Sequence, residues 1–244
     1  MYRNKSISLC FPCRNEAKHL ATVLAEVPDF VDEVIVISNK STDDTLQVAS
    51  RAGARALEDD RTSNGIGYGF AHMTGIQAAS GDIIIGADGD GTYPVGQLAE
   101  IIDRFLDEGL HFMSCNRYPL HGDTRIPLIL RFGVWSLNTE VLLLYGRRIH
   151  DILSGMWVID SGIKSELNLT MGDWNLSPEI KLNTATNPNI MFGEHHIVQH
   201  RRHGSSHQRY LRTGLSHMWW ILKNRFHTTA TLPDVVHTET ETNL

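Results

Sequence analysis

The chain has 244 residues, 41% hydrophobic, 20% charged and 8% aromatic, with a formal net charge of −6. That is ample apolar material for a core, so disorder is excluded for the bulk of the chain. The acidic balance argues against a dedicated nucleic-acid binder, and three cysteines are too few for a disulfide framework, which fits a reducing cytoplasm.

Met1 to Lys5 runs straight into a strand, Ser6–Phe11, so no signal peptide is expected. Asn15 is placed to cap a helix carrying Ala17, Leu20, Val23, Leu24 and Val27 at helical spacing, ended by Pro28. Val34–Ile37 reads as a second strand. Ser41 or Thr42 is placed to cap the next helix, with Asp43 and Asp44 at its positive end. Gly53 stops it before a third strand, Ala54–Leu57. A Gly-rich loop, Asn64–Gly69, leads into a helix near Phe70–Ala79. Asp82–Ala87 is a fourth strand, Val95–Leu106 a helix and His111–Cys115 a fifth strand. Such alternation of apolar strands with helices predicts an α/β fold with a mostly parallel central sheet. Ligands of such sheets bind at the C-terminal strand ends.

The second half is less regular. Arg125–Tyr145 is apolar over about 20 residues, the span of a bilayer. Arg131, Asn138 and Glu140 interrupt it, so a helix lying on the protein or on a membrane surface is favoured over one that spans. Gly155–Asp160 and His195–His200 read as further strands. Residues 195–227 hold six basic residues, no acidic ones and seven His, whereas residues 1–108 hold 17 acidic and 9 basic ones. From Ser206 to His227, Leu211, Leu215, Met218, Leu222 and Phe226 share one helical face, with Arg209, Arg212, Ser216 and Lys223 on another beside Trp220. Such a helix either packs its apolar stripe on the domain or lies at a membrane interface. Residues 229–244 read as a disordered polar tail.

The most informative segment is Ile83 to Pro94. Asp88 and Asp90, separated by Gly89, directly follow a buried strand that carries them to the ligand edge. Hard cations such as Mg²⁺ or Mn²⁺ take a few carboxylates and complete their shell with water and phosphate. Cys10-x-x-Cys13 sits too near the N-terminus for a thioredoxin-like redox motif, and the His residues of 195–207 match no standard metal spacing.

Three ordered motifs resemble those of family 2 glycosyltransferases with the GT-A fold: Pro12-x-Arg14-Asn15-Glu16, Ser41-Thr42-Asp43-x-Thr45, and Asp88-x-Asp90-Gly91-Thr92-Tyr93-Pro94. Asn116-Arg117-Tyr118, Asp151-x-x-Ser154-Gly155, Trp174 to Glu179 and Arg201-x-x-Gly204-x-Ser206 resemble the polyprenyl-phosphate branch, typified by dolichol-phosphate mannose synthases. Ile66 stands where that branch commonly has a Lys, with Arg61 as the candidate replacement.

The resemblance implies one GT-A domain over residues 1–228: a nucleotide-sugar half at 1–116, an acceptor half at 117–205 and a basic amphipathic helix at 206–228. It implies donor contacts from Pro12, Arg14, Glu16, Asn39, Asp43, Asn64, Gly65, Asp88, Gly89 and Asp90, with Asp88 and Asp90 holding Mg²⁺ or Mn²⁺. It implies an acceptor phosphate gripped by Arg117, Arg131 and Ser154, and places Arg201 and Ser206 near the diphosphate or acceptor. The expected activity is inverting sugar transfer from a nucleotide diphosphate sugar to a polyprenyl phosphate, on the cytoplasmic side, with peripheral membrane contact. A hydroxyl acceptor would need a base, for which Asp151 and Glu179 are the candidates. Transfer to a hydroxyl and a non-catalytic nucleotide-sugar-binding module remain open as alternatives. A nucleotidyltransferase would want a Gly-rich loop after the first strand, which Cys10 to Arg14 is not.

Overall fold

Seven strands pair into one sheet in the computed structural model, which describes residues 1–63, 65–120, 126–200 and 210–226. The first half alternates β1 (Ile7–Cys13), α1 (Ala17–Ala25), β2 (Glu33–Ser38), α2 (Thr45–Arg51), β3 (Arg55–Glu58), α3 (Tyr68–Ala78), β4 (Ile83–Gly86), α4 (Leu98–Asp107) and β5 (Phe112–Asn116). Then follow α5 (Leu128–Tyr145), β6 (Trp157–Asp160), α6 (Leu176–Thr186), β7 (Phe192–His196) and α7 (Tyr210–Phe226). The strand order is β3-β2-β1-β4-β6-β5-β7. β6 runs antiparallel to both neighbours and the other pairs are parallel, as the apolar runs require.

Strand alternation divides the core. Ile7, Leu9 and Phe11 face the layer of α1 and α4, while Cys10, Ile35, Ile84 and Trp157 face that of α3 and α6. Cys10 and Cys13 therefore point to opposite faces of the sheet. Both are buried and unpaired, and burial pushes the Cys10 thiol up to about 12, so the Cys-x-x-Cys spacing is core packing. A third cluster joins α5, α6 and α7 through Leu137, Val141, Leu182 and Ile221.

Three features go beyond or depart from the expectations. α6 has no amphipathic stripe: Glu179, Lys181 and Thr184 are buried alongside Ile180 and Leu182. β7 begins at Phe192 because residues 192–196 register against 112–116 of β5, and the chain then leaves the sheet. On α7 the predicted stripe is intact but faces outward, and the buried side chains are His217 and Ile221. Arg209 and the tail at 229–244 lie outside the described residues.

Candidate active site

The C-terminal ends of β1, β2 and β4 meet along one edge, where the first two motifs brace each other. Asn15 takes a left-handed backbone, φ 57°. Its Oδ1 accepts from the Thr42 N–H at 2.7 Å, and its own N–H donates to Ser41 Oγ at 3.1 Å. The Ala17 N–H donates to Asp43 Oδ2 at 3.1 Å, and the Thr45 N–H to Asp43 Oδ1 at 3.1 Å. Asp43, rather than Asn15, Ser41 or Thr42, thus satisfies the first amide of both α1 and α2. Glu16 is half-buried and its N–H donates to Thr45 Oγ1 at 3.0 Å. Pro12 is buried within β1, and Arg14 is half-buried just beyond it.

Asn39 is a tie beneath this edge. Its Nδ2 donates to the carbonyls of Asp59, Arg61 and Gly67, the nearest at 2.9 Å. Gly67 has φ +80°, and a Cβ there would lie 2.1 Å from the Arg61 carbonyl oxygen. A Cβ on Gly65 would overlap the Asp173 carboxylate, and one on Gly69 the Met171 carbonyl. The glycine spacing therefore follows from close backbone approach. Arg61, the candidate replacement for the missing Lys, is held by Asp59. Asp59 accepts from its Nε and Nη2 at 3.0 and 2.7 Å, and these bonds outweigh burial to hold that carboxyl below its ordinary range.

Asp88 and Asp90 follow β4 as expected. Asp90 is buried and accepts the N–H and hydroxyl of Thr92, which fixes the turn. Asp88 is half-buried and accepts from the Tyr68 hydroxyl at 2.9 Å. Gly89 is buried against Cys13: a Cβ there would lie 2.3 Å from its Sγ. Burial and Asp88 push the Tyr68 phenol well up, so it stays a donor. Trp174 stacks on Tyr68, ring centroids 4.6 Å apart. Across the cleft lies Gly155, where a Cβ would sit 2.7 Å from Tyr68 Oη and 3.1 Å from Asp88 Oδ1. Its N–H donates to Tyr93 Oη at 2.6 Å. The donor set fits a hard divalent cation. Asp88 and Asp90 are oxygen donors of the kind such a cation takes, and the missing side chain of Gly155 leaves room beside Asp88 Oδ1.

Below Gly155 lies a buried charge network. Arg117 Nε and Nη2 donate to Asp151 at 2.6 and 2.9 Å, and its backbone N–H donates at 3.1 Å. Burial opposes the charge on each, but their pairing wins: Asp151 stays below its ordinary range and Arg117 above its own. Lys181 Nζ, fully buried, donates to the carbonyls of Ile152, Ser154 and Ser177. Ser154 is itself buried. Glu179 is enclosed in another way: its carboxylate accepts from the N–H and hydroxyl of Thr170 and from the Met171 N–H, and burial pushes its pKa up. It anchors the turn carrying Trp174.

Arg131 is exposed on α5 and lines a pocket of about 620 Å³ with Tyr118, Pro119 and Leu128. The charges of Arg117 and Arg131 both act on the Tyr118 phenol. Asn64, Arg201 and Ser206 lie outside the described residues. His200, next to Arg201 in the chain, donates its N–H to the Thr92 carbonyl beside Asp90. Tyr68 and Lys181 were missed: a Tyr in a Gly-rich helix and a Lys in an unrecognised one carry no spacing signal.

Residues 8–161 match the family model for glycosyl transferase family 2, well over half of the chain. The chain belongs to this family. An uncharacterized glycosyltransferase of Mycobacterium tuberculosis is 32% identical over 147 residues, 60% of this chain and 64% of the relative. The match thus spans just under two thirds of that relative. A dolichyl-phosphate hexose transferase of Haloferax volcanii is 27% identical over 168 residues, 63% of this chain and 71% of the relative. Among solved structures, glucosyl-3-phosphoglycerate synthase from M. tuberculosis, in complex with Mn²⁺, UDP-glucose and phosphoglyceric acid, superposes with a TM-score of 0.70. It is 20% identical, covering 91% of this chain and 80% of its own. The shared fold is GT-A, as the motifs imply.

Proposed function

We propose that this family 2 chain is an inverting, metal-dependent glycosyltransferase that moves a sugar from a nucleotide diphosphate sugar to a polyprenyl phosphate. The observation that carries the acceptor class is the withdrawal of both candidate bases. Asp151 is fork-bound to Arg117, and Glu179 is enclosed by the 170–171 backbone. A hydroxyl acceptor needs a carboxylate to take its proton. A phosphate monoester, with a second pKa near ~6, is already largely dianionic at neutral pH and needs positioning alone.

Asp88 and Asp90 hold the cation, which when bound supplies Lewis-acid stabilisation of the leaving nucleoside diphosphate. The UDP and Mn²⁺ of the solved neighbours support this donor class. Arg14, Glu16, Asn39, Asp43, Gly65 and Gly89 build the nucleotide side around Pro12, several of them through backbone bracing, and Asn64 is assigned there by its motif alone. Arg117 keeps three of its five N–H donors beyond its Asp151 bonds and, with Arg131, faces the acceptor phosphate. Asp151 and Ser154 orient that arginine and the Gly155 turn. Arg201 and Ser206 are assigned to the diphosphate or acceptor by their motif alone. The Haloferax relative supports a lipid phosphate, and the three buried free thiols fit a cytoplasmic setting. Residues 1–116 are read as the donor half and 117–205 as the acceptor half.

The test offers UDP- and GDP-hexoses with Mn²⁺ to the purified chain, with polyprenyl phosphate in one arm and phosphoglycerate, a hydroxyl acceptor, in the other. Nucleoside diphosphate release with polyprenyl phosphate alone is expected. Turnover with the hydroxyl acceptor alone overturns the reading.

A further inference from the structure

Sixteen large apolar side chains are exposed among the described residues, and thirteen of them lie on α5 and α7. They form stripes. On α5, Leu128, Phe132, Trp135, Leu142 and Leu143 share one face, opposite the buried Val134, Leu137 and Val141. On α7, Leu211, Leu215, Met218, Trp219, Leu222 and Phe226 face outward, opposite His217 and Ile221. Trp135 and Leu143 line one groove of about 410 Å³ together with Met218 and Leu222, so the two stripes join into a single face. An apolar face of that extent marks an interaction surface.

Its charge says what it meets. Arg131, Arg147, Arg148, Arg212, Lys223 and Arg225 are exposed on the two helices and the turn after α5, where the acids are Glu140, which lines the groove, and the buried Asp151. The whole chain carries −6, so this is a basic island on an acidic protein. A second copy seated on the same face would bring like charges together, since a two-fold contact sets a patch against itself. α5, with 18 residues and a mean hydropathy of 1.3, is long and apolar enough to cross a bilayer. Its inner face, however, is committed to α7 and the 149–152 turn, which suits lying in an interface.

We propose that the joined outer face of α5 and α7 docks on an anionic lipid bilayer. Trp135 and Trp219 lie at the depth where indole rings meet headgroups, and the flanking arginines meet lipid phosphates. Leu128 and Arg131, at the start of α5, belong both to this face and to the pocket beside Tyr118. Docking therefore brings that pocket to headgroup level, where a polyprenyl phosphate presents its phosphate. The purpose of the contact rests on the lipid-phosphate reading, whereas its existence is measured without turnover.

Co-sedimentation of the full chain with phosphatidylcholine vesicles, with and without phosphatidylglycerol, tests this. Binding to the anionic vesicles is expected, weakening as salt rises. Trp135→Ser with Trp219→Ser, and Arg147→Ala with Arg148→Ala, should each lower it by about tenfold or more. A retained thermal shift with nucleoside diphosphate and Mn²⁺ reports that the variants are folded. A wild-type chain left in the supernatant at low salt overturns the proposal. So does vesicle binding indifferent to both double variants, or a dimer in solution that the tryptophan variant dissociates. Vesicle binding without transfer to polyprenyl phosphate sinks the acceptor reading and leaves docking standing. Transfer to detergent-dispersed polyprenyl phosphate without vesicle binding does the reverse.

Discussion

Asp90 accepts from the N–H and hydroxyl of Thr92 and so fixes the turn that follows β4. Asp90→Asn keeps an oxygen for that turn but loses the charge. Turnover should fall by about 100-fold or more, since a cation at a leaving group is worth several kcal/mol, while the melting temperature stays close to wild type. A steady-state assay beside a thermal melt separates the two effects. Lys181 makes a different prediction. Burial pushes its pKa down from 10.5 to about 8, against the pull of Asp151. Between those values the unfolded chain holds the extra proton. Stability relative to Lys181→Met should therefore rise by about 3 kcal/mol as pH climbs from 8 to 10.5. Urea midpoints of both proteins across that range give the difference, and a flat gap would refute the assignment. The position of Asp88 and Asp90 just beyond β4 was legible because an apolar strand and the residues that follow it are contiguous. Lys181 was not, because its partners are carbonyls brought together by folding.

At the scale of elements, α6 separates a base from a clamp. Glu179→Gln keeps an acceptor for the 170–171 amides and removes any proton-accepting role. It should retain most turnover with a phosphate acceptor and lower the melting temperature by a few degrees, the cost of about one charge-assisted hydrogen bond. Loss of turnover in a fully folded variant would restore Glu179 as a base. The Gly155 turn is tested by Gly155→Ala. The added methyl meets Tyr68 Oη at 2.7 Å and Asp88 Oδ1 at 3.1 Å, so the turn or the aspartate must move. Donor affinity measured by calorimetry should fall by about tenfold or more, with little change in stability far from the cleft. α1, α2 and α4 were readable from periodicity and from Gly and Pro punctuation, although Asp43 does the work expected of Asn15, Ser41 and Thr42. α6 was not, because a helix buried on most sides has no polar face to mark its period.

For the whole molecule, donor binding couples to stability by mass action. Nucleoside diphosphate with Mn²⁺ at about 100 times its dissociation constant should add about 2.7 kcal/mol. Excess chelator should abolish that gain, and a gain that survives it would refute the Asp88–Asp90 cation site. The same measurement on Asp90→Asn should show little gain.

The sequence by itself determined the strand and helix alternation, the α/β class, the family and the sheet edge at which the motif residues lie. Those features are local: strand hydrophobicity, Gly and Pro punctuation and short motifs at strand ends are written in contiguous residues. Tertiary structure decided which charged groups stay available for chemistry and which face of a helix meets solvent. Asp151 reads as a base in a motif, yet lies against Arg117 from another segment, 34 residues away. The α7 stripe reads equally well as core or surface. It faces outward because His217, bonded to Asn175, and Ile221 face the domain. A helical wheel gives the angle between two faces, and only the packing of the rest of the chain chooses which one is covered.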